Sequence, residues 1–344
     1  MLDAQDRWRE ILESDPAGFM TERLAPSLGP VRERLAQFVG ASPEDLVLVG
    51  NATEGLNAVL RSWLIEAGDE IVTTSLAHGG LRQALQHICE AAGARLVVVS
   101  PAVPLTGADQ VVEAVAEALS PRTRYAVLEH VTSPGGVVMP IETLCTLCRE
   151  RGVPVLVDGA HGPSMLDLSM PDIGADWYVG SCHKWLCAPK GVALLWVRPE
   201  HQATLRPAII AAEHNAGFAG SFGWSATRDY SAWLSVPAAL DFWQSLEPAK
   251  ARAYMTGLAN RAGDSLAAHW GTERLAPAPM TAAMVAVRAP VPDGTTSRAL
   301  RSRLRHDHGI VATVSTIADA PWVRLSFHVY NDATDIDRLA DIFD

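Results

Sequence analysis

The sequence is short of positive charge. Across 344 residues it carries 28 Lys and Arg against 39 Asp and Glu, a formal net charge of −11. A protein whose main partner is nucleic acid or an anionic membrane needs a basic surface, so both are excluded as principal roles. A local basic pocket for a small anion remains open. Long apolar runs are missing as well, since none approaches the ~18 to 20 residues of a membrane span. The opening stretch MLDAQDRWREILESD is charged throughout and has no apolar core of a secretory signal. Cysteine is scarce, five in all at irregular spacing, which suits reduced thiols in a cytoplasm better than a disulfide framework. The one CxxC, Cys145 and Cys148, lacks a second ligand pair and reads as a partly buried helix face before it reads as zinc. No metal site is expected. Neither a P-loop nor a dinucleotide glycine fingerprint occurs. AGSFG (219 to 223) has Ala219 where a serine elbow needs glycine, and HDH (306 to 308) lies in a basic stretch and reads as solvated.

What is present is alternation. Short apolar runs, DLVLVG (45 to 50), DEIVTT, RLVVVS, RYAVLEHV, VPVLVDGAH, ADWYVGSCHK and GVALLWV, are separated by segments of helical period such as TEGLNAVLRSWL and LRQALQHICEAAG. Strands buried on both faces and joined by helices predict an α/β domain with a largely parallel sheet. From about residue 229 the texture becomes helical, and then MTAAMVAVRA, SRALRSRLRHDHG, IVATVSTI and WVRLSFHVYN read as a small α+β unit. The expected organisation is an N-terminal segment (1–30), a large domain (31–247) and a small C-terminal domain (248–344).

In such sheets ligands collect at the carboxyl ends of the strands. Those ends read Gly50 to Thr53, Thr132 to Pro134, Asp158 to His161 and Ser181 to Lys184. A lysine ending a buried strand is costly unless it is neutralised, paired or covalently occupied. Pyridoxal 5′-phosphate meets the last condition by forming a Schiff base, and an acid facing its pyridine nitrogen keeps the ring an electron acceptor. Asp158 and Lys184, on neighbouring predicted strands, satisfy both needs; the plainer reading is an ion pair between strand ends. GNATEGLN, running from strand to helix, offers backbone N–H groups, the Thr53 hydroxyl and a helix N-terminus to a phosphate, although Thr there is also an ordinary cap.

NAT before a helix, HVTSPGG, VDGAH, SCHKW followed by APKG, ATRD and VRLSFHVYN together resemble the class V aminotransferase-type pyridoxal-phosphate enzymes of fold type I. The subgroup resembled is that of isopenicillin N epimerase-like proteins and hercynylcysteine sulfoxide lyases, with cysteine desulfurases further off. The resemblance implies that Lys184 forms the aldimine and moves the Cα proton, that Asp158 holds the pyridinium nitrogen and that His161 sits near the ring hydroxyl. It implies phosphate contacts from Ala52, Thr53, Ser181 and His183, and an approach to the ring oxygen by Thr132 or Ser133, either of which also suits capping of the next turn. A buried structural role is the alternative for His183. Thr227 in SATRD falls where the family reaches the partner subunit's phosphate, implying a homodimer with shared sites. The family usually has glycine where this chain has Ala226. Arg324 falls at the grip on the substrate α-carboxylate, for which a guanidinium is suited; a solvated strand arginine is its alternative. Leu76 stands where histidine is common and His78 at the position of the ring-covering aromatic, so His78 is expected to stack on the ring, with a plain loop histidine as the alternative. Relatives also carry an Asn/Gly-rich turn upstream of the position of Met1.

The implied activity is proton removal at the Cα of an amino acid or an amino-acid-ended metabolite. Its completion as epimerisation or carbon–sulfur lysis is preferred, transamination comes next, and a catalytically silent cofactor-binding protein is the alternative of another class. His78 and Cys182 are candidates for a second acid. A desulfurase needs a cysteine on a mobile loop, whereas Cys182 and Cys187 flank the lysine turn.

Overall fold

A computed structural model of the chain describes residues 1–292 and 294–343. Seven strands form the central sheet: β1 (Leu46–Val49), β2 (Glu70–Thr74), β3 (Arg95–Val99), β4 (Thr123–Glu129), β5 (Val155–Asp158), β6 (Trp177–Ser181) and β7 (Ala193–Val197). Their spatial order is β1-β7-β6-β5-β4-β2-β3. Only β7 runs against the others, because both its neighbours pair with it antiparallel.

Alternation along each strand explains why the runs are apolar throughout. Leu46 and Leu48, Ala126 and Leu128, and Val155 and Val157 pack into the core on one face, while Val47 and Val49, Tyr125 and Val127, and Leu156 pack into the core on the other. Both faces are covered by helices, so no polar side remains. The helices Ala52–Ser62 and Gly79–Ala92 cover the second face through Leu56, Val59, Leu81 and Leu85, and Ala108–Ala118 and Ile141–Glu150 cover the first through Val111, Val115 and Leu144. Leu76 is buried in the first core, which accounts for its apolar character. Cys145 and Cys148 lie on the buried side of Ile141–Glu150, where burial pushes their thiols up to about 12 and about 11.

The period of two also places the acids. Asp158 shares the face of Leu156, Glu129 shares that of Val127, and the two pair in register where β4 and β5 end. Glycine is required beside them, since a Cβ on Gly159 or Gly162 would collide with the Tyr178 ring packed beneath.

The C-terminal part folds on a second sheet of β8 (Met284–Arg288), β9 (Thr313–Ile317) and β10 (Ala320–Ser326), ordered β8-β10-β9 and antiparallel. The long helix Pro248–Trp270 covers it, with Leu258, Ala262 and Leu266 against Val285, Val287 and Val323. Trp322, on the other face of β10, joins the core of the large sheet. Arg324 is two residues along and shares that face.

Candidate active site

The carboxyl ends of β4, β5 and β6 and the first turns of two helices surround a cleft. Its walls include Ala52, Thr53, His78, Glu129, Ser133, Asp158, Ala160, His161 and Lys184. Lys184, three residues beyond β6, opens onto the cleft. Its Nζ lies 3.3 Å from His161 Nε2, and His161 Nδ1 accepts the Trp185 indole N–H at 3.1 Å. Burial lowers the Lys184 pKa and Arg324 lowers it further, while Asp158 and Glu129 pull the other way. Burial holds His161 well below its usual value, helped by the charges of Lys184 and Arg324. Asp158 is buried and accepts one hydrogen bond, from the Ala160 N–H at 3.0 Å. Burial raises its pKa; that N–H and Lys184 oppose the rise.

Arg324 crosses between the two sheets. It donates through Nη1 to the Ser133 carbonyl and through Nη2 to Thr313 Oγ1 at 2.9 Å, leaving its buried Nε without a partner. Burial brings its pKa down to about 10, against the pull of Glu129. No carboxylate among the described residues pairs with it, so this guanidinium retains donor capacity for an anion.

The sequence matches the Aminotransferase class-V family over residues 20–339. The chain belongs to that family. Isopenicillin N epimerases of Amycolatopsis lactamdurans and Streptomyces clavuligerus are 35% and 34% identical to it, over 97% and 98% of this chain and 88% and 89% of theirs. A probable chloroplastic L-cysteine desulfhydrase of Arabidopsis thaliana is 31% identical, over 99% of this chain and 78% of that protein. Among solved structures, a cystine C–S lyase in complex with cysteine persulfide shares the fold, with a TM-score of 0.83 at 24% identity over 98% of this chain and 92% of that one. As a class V family member, this protein is a pyridoxal-phosphate enzyme.

The residues present fit that cofactor. Asp158 is a buried carboxylate with one hydrogen bond, and a pyridinium N–H is the kind of donor that would meet its other oxygen. The helix Ala52–Ser62 begins at the cleft, where its first N–H groups lack intrahelical acceptors. Asn51 Oδ1 takes only that of Glu54, at 2.9 Å. A phosphate seated there would meet the Ala52 and Thr53 amides and the Thr53 hydroxyl.

The other expected residues divide. Ser133 lines the cleft, whereas the Thr132 hydroxyl is buried and accepts the Val137 N–H at 3.0 Å, closing the turn. Ser181, buried at the end of β6, and His183, whose Nδ1 meets the Val192 carbonyl at 3.2 Å, stand beside the cleft without lining it. Burial lowers the His183 pKa. His78 lines the cleft and caps the helix Gly79–Ala92, its Nδ1 accepting the Gly80 N–H at 3.2 Å. Thr227 is exposed and lies outside the cleft of its own chain. Ala226 before it has φ +70°, in the region that favours glycine, which gives a physical reason for the family's glycine there. Cys182 is fully buried and its thiol is pushed up to about 12 by burial, so of the two candidate second acids only His78 borders the cleft. Among the described residues, no cysteine lines it.

Glu129 was not singled out by sequence reasoning. It is buried, with Oε1 accepting the His78 N–H at 3.1 Å and Oε2 the Ser133 N–H at 3.2 Å. One carboxyl thus ties the loop after β2 to the loop after β4. Burial, and then Asp158, raise its pKa well above the usual range. An acid closing the apolar run RYAVLE, in the same position as Asp158 in VPVLVD, was the available signal.

Proposed function

We propose that the protein removes the Cα proton of an amino acid, or of a larger metabolite ending in one, and completes epimerisation or carbon–sulfur elimination. One observation carries the reading: a lysine with a lowered pKa and an under-bonded buried aspartate share one cleft, and an arginine with an unpaired donor grips Ser133 on its wall. The bound cofactor supplies an electron sink for the pair released when a bond at Cα breaks. Asp158 keeps a proton on the ring nitrogen. The helix start at Ala52 and Thr53, together with Ser181 and His183, holds the phosphate. Arg324 takes the α-carboxylate, and Lys184, as free amine, accepts the proton from Cα. His78 borders the same cleft and donates the returning proton where the outcome is inversion.

Epimerisation is favoured by the two isopenicillin N epimerases among the relatives, and carbon–sulfur elimination by the cysteine desulfhydrase. Transamination is supported by neither. Two copies of the chain form the working unit in this proposal, each lending Thr227 to the other's phosphate site, and the compartment is the cytoplasm. No described helix is long and apolar enough to cross a membrane.

Product analysis in heavy water, with isopenicillin N, cysteine, cystine and cysteine conjugates, tests the reading. Deuterium at Cα with inversion establishes epimerisation. A keto acid with released sulfur, formed without an amine acceptor, establishes elimination. Strict dependence on a keto-acid acceptor, or no exchange at Cα with any substrate, overturns the proposal.

A further inference from the structure

We propose that Trp185 is a positioning residue for the reacting lysine, fixing the ring hydrogen of His161 on the nitrogen that meets Lys184. The inference deepens the reading of Lys184 and rests on it. An indole N–H donates and cannot accept. It stands 3.1 Å from His161 Nδ1, so Nδ1 is the acceptor and carries no hydrogen. The ring hydrogen is therefore on Nε2. That nitrogen is 3.3 Å from Lys184 Nζ, where a donor can be satisfied only by a lone pair. An ammonium has none, so the arrangement selects the free amine.

The same logic runs from the other end. His328 Nδ1 accepts the Val329 N–H at 2.9 Å, so its Nε2 hydrogen is directed to the Trp185 carbonyl at 3.1 Å. The His328 and Trp185 rings are stacked, with centroids 5.9 Å apart and planes 13° apart. His328 lies four residues beyond Arg324, just past β10. The element that carries the arginine thus also holds Trp185 in place. Every donor in the chain from His328 through Trp185 and His161 to Lys184 points the same way, as a relay that fixes ring hydrogens requires.

Other groups around the lysine act by charge. Asp158 and Glu129 favour the ammonium, Arg324 disfavours it, and His78 faces the cleft beside them. None of these supplies a directed hydrogen to Nζ; His161 does.

The test uses the cofactor-loaded enzyme and Trp185→Phe, which keeps an aromatic ring against His328 and loses the indole donor. Nitrogen-15 spectra of histidine-labelled wild type, with His161 assigned through His161→Gln, are expected to show Nε2 protonated and Nδ1 bare. In Trp185→Phe both forms of the His161 ring should appear. The pH midpoint of the cofactor's visible absorbance should rise by about half a unit or more, since a donor to the unprotonated nitrogen has been weakened. The kcat should fall by about tenfold or more with KM within about twofold, as when a partner that sets a catalytic histidine's tautomer is lost. A wild-type His161 with its hydrogen on Nδ1 overturns the proposal, and that measurement needs no variant to fold. So does a Trp185→Phe midpoint equal to wild type. If Lys184→Ala abolishes the absorbance while Trp185→Phe matches wild type, only the role of Trp185 falls. If Lys184→Ala retains it, the reading of Lys184 falls and this inference with it.

Discussion

His161 Nε2 and Lys184 Nζ meet at 3.3 Å from two adjacent strand ends, one residue following β5 and the other β6. The charges around that contact set the pH at which Lys184 becomes a base. Arg324 lowers its pKa and Asp158 raises it. Removing a positive neighbour must therefore move the lysine up, and removing a negative one must move it down. In Arg324→Gln the ascending limb of kcat against pH, which reports the amine freed in the substrate complex, is expected to shift to higher pH, and in Asp158→Asn to lower pH. The pH profiles of the two variants check this, and shifts in the same direction would contradict the assignment.

Arg324 should govern affinity more than turnover. Its guanidinium holds Ser133 and Thr313 and retains Nε for a ligand. A lysine there keeps the charge and loses the planar fork. With charged hydrogen bonds worth about 1.5 to 3 kcal/mol, Arg324→Lys is expected to raise KM for amino-acid substrates roughly ten- to a hundredfold. Steady-state kinetics decide it: an unchanged KM with a collapsed kcat would remove Arg324 from carboxylate binding.

Much of this site was legible because its residues break a pattern. Asp158 and Lys184 are charges set against apolar runs, and a period of two puts Asp158 on a definite face of a sheet whose strands were readable from the same runs. Glu129 broke the pattern in the same way. Its role is not legible in the same way, because its two backbone partners stand 51 and 4 residues away and only the fold brings both to one carboxyl. Trp185 was hidden for another reason. A tryptophan beside a catalytic lysine reads as packing, and only the placement of its N–H against His161 distinguishes packing from orientation. The reversal of β7 was likewise invisible, since antiparallel and parallel buried strands are equally apolar.

Glu129 makes a prediction about stability with a definite sign. In Glu129→Gln the amide nitrogen cannot accept, so one of the two backbone N–H groups, of His78 or of Ser133, loses its partner. An orphaned buried donor costs about 1 to 3 kcal/mol, and urea unfolding should show a loss of that order. Because the folded-state pKa of Glu129 is raised, the unfolded chain binds fewer protons above the ordinary value of 4.5. Wild-type stability therefore declines as pH rises through that value toward the folded pKa, whereas the glutamine variant lacks this decline. The difference between the two should be widest below pH 4.5 and narrow above it. A gap that widens with pH would mean that Glu129 is held charged.

Thr227 makes the sharpest claim about assembly. The residue is exposed, yet the loop that carries it is held: Arg9 Nε meets Asp229 Oδ2 at 3.0 Å, and Tyr230 Oη donates to the Ala226 carbonyl at 2.8 Å. A loop fixed in that way, with its exposed threonine outside the lining of its own cleft, suits delivery of Thr227 to a second chain. If so, a Lys184→Ala subunit still supplies a good Thr227, and a Thr227→Ala subunit still supplies a good Lys184. A heterodimer of the two then contains one site with both residues and one with neither. Each parent alone is expected to be inactive or weak at limiting cofactor, and mixing after reversible dissociation should recover activity in proportion to the heterodimer formed. Differently tagged subunits, purified in two steps, allow that proportion to be measured. Heterodimers that form and remain as inactive as their parents would show that Thr227 does not serve the neighbouring site.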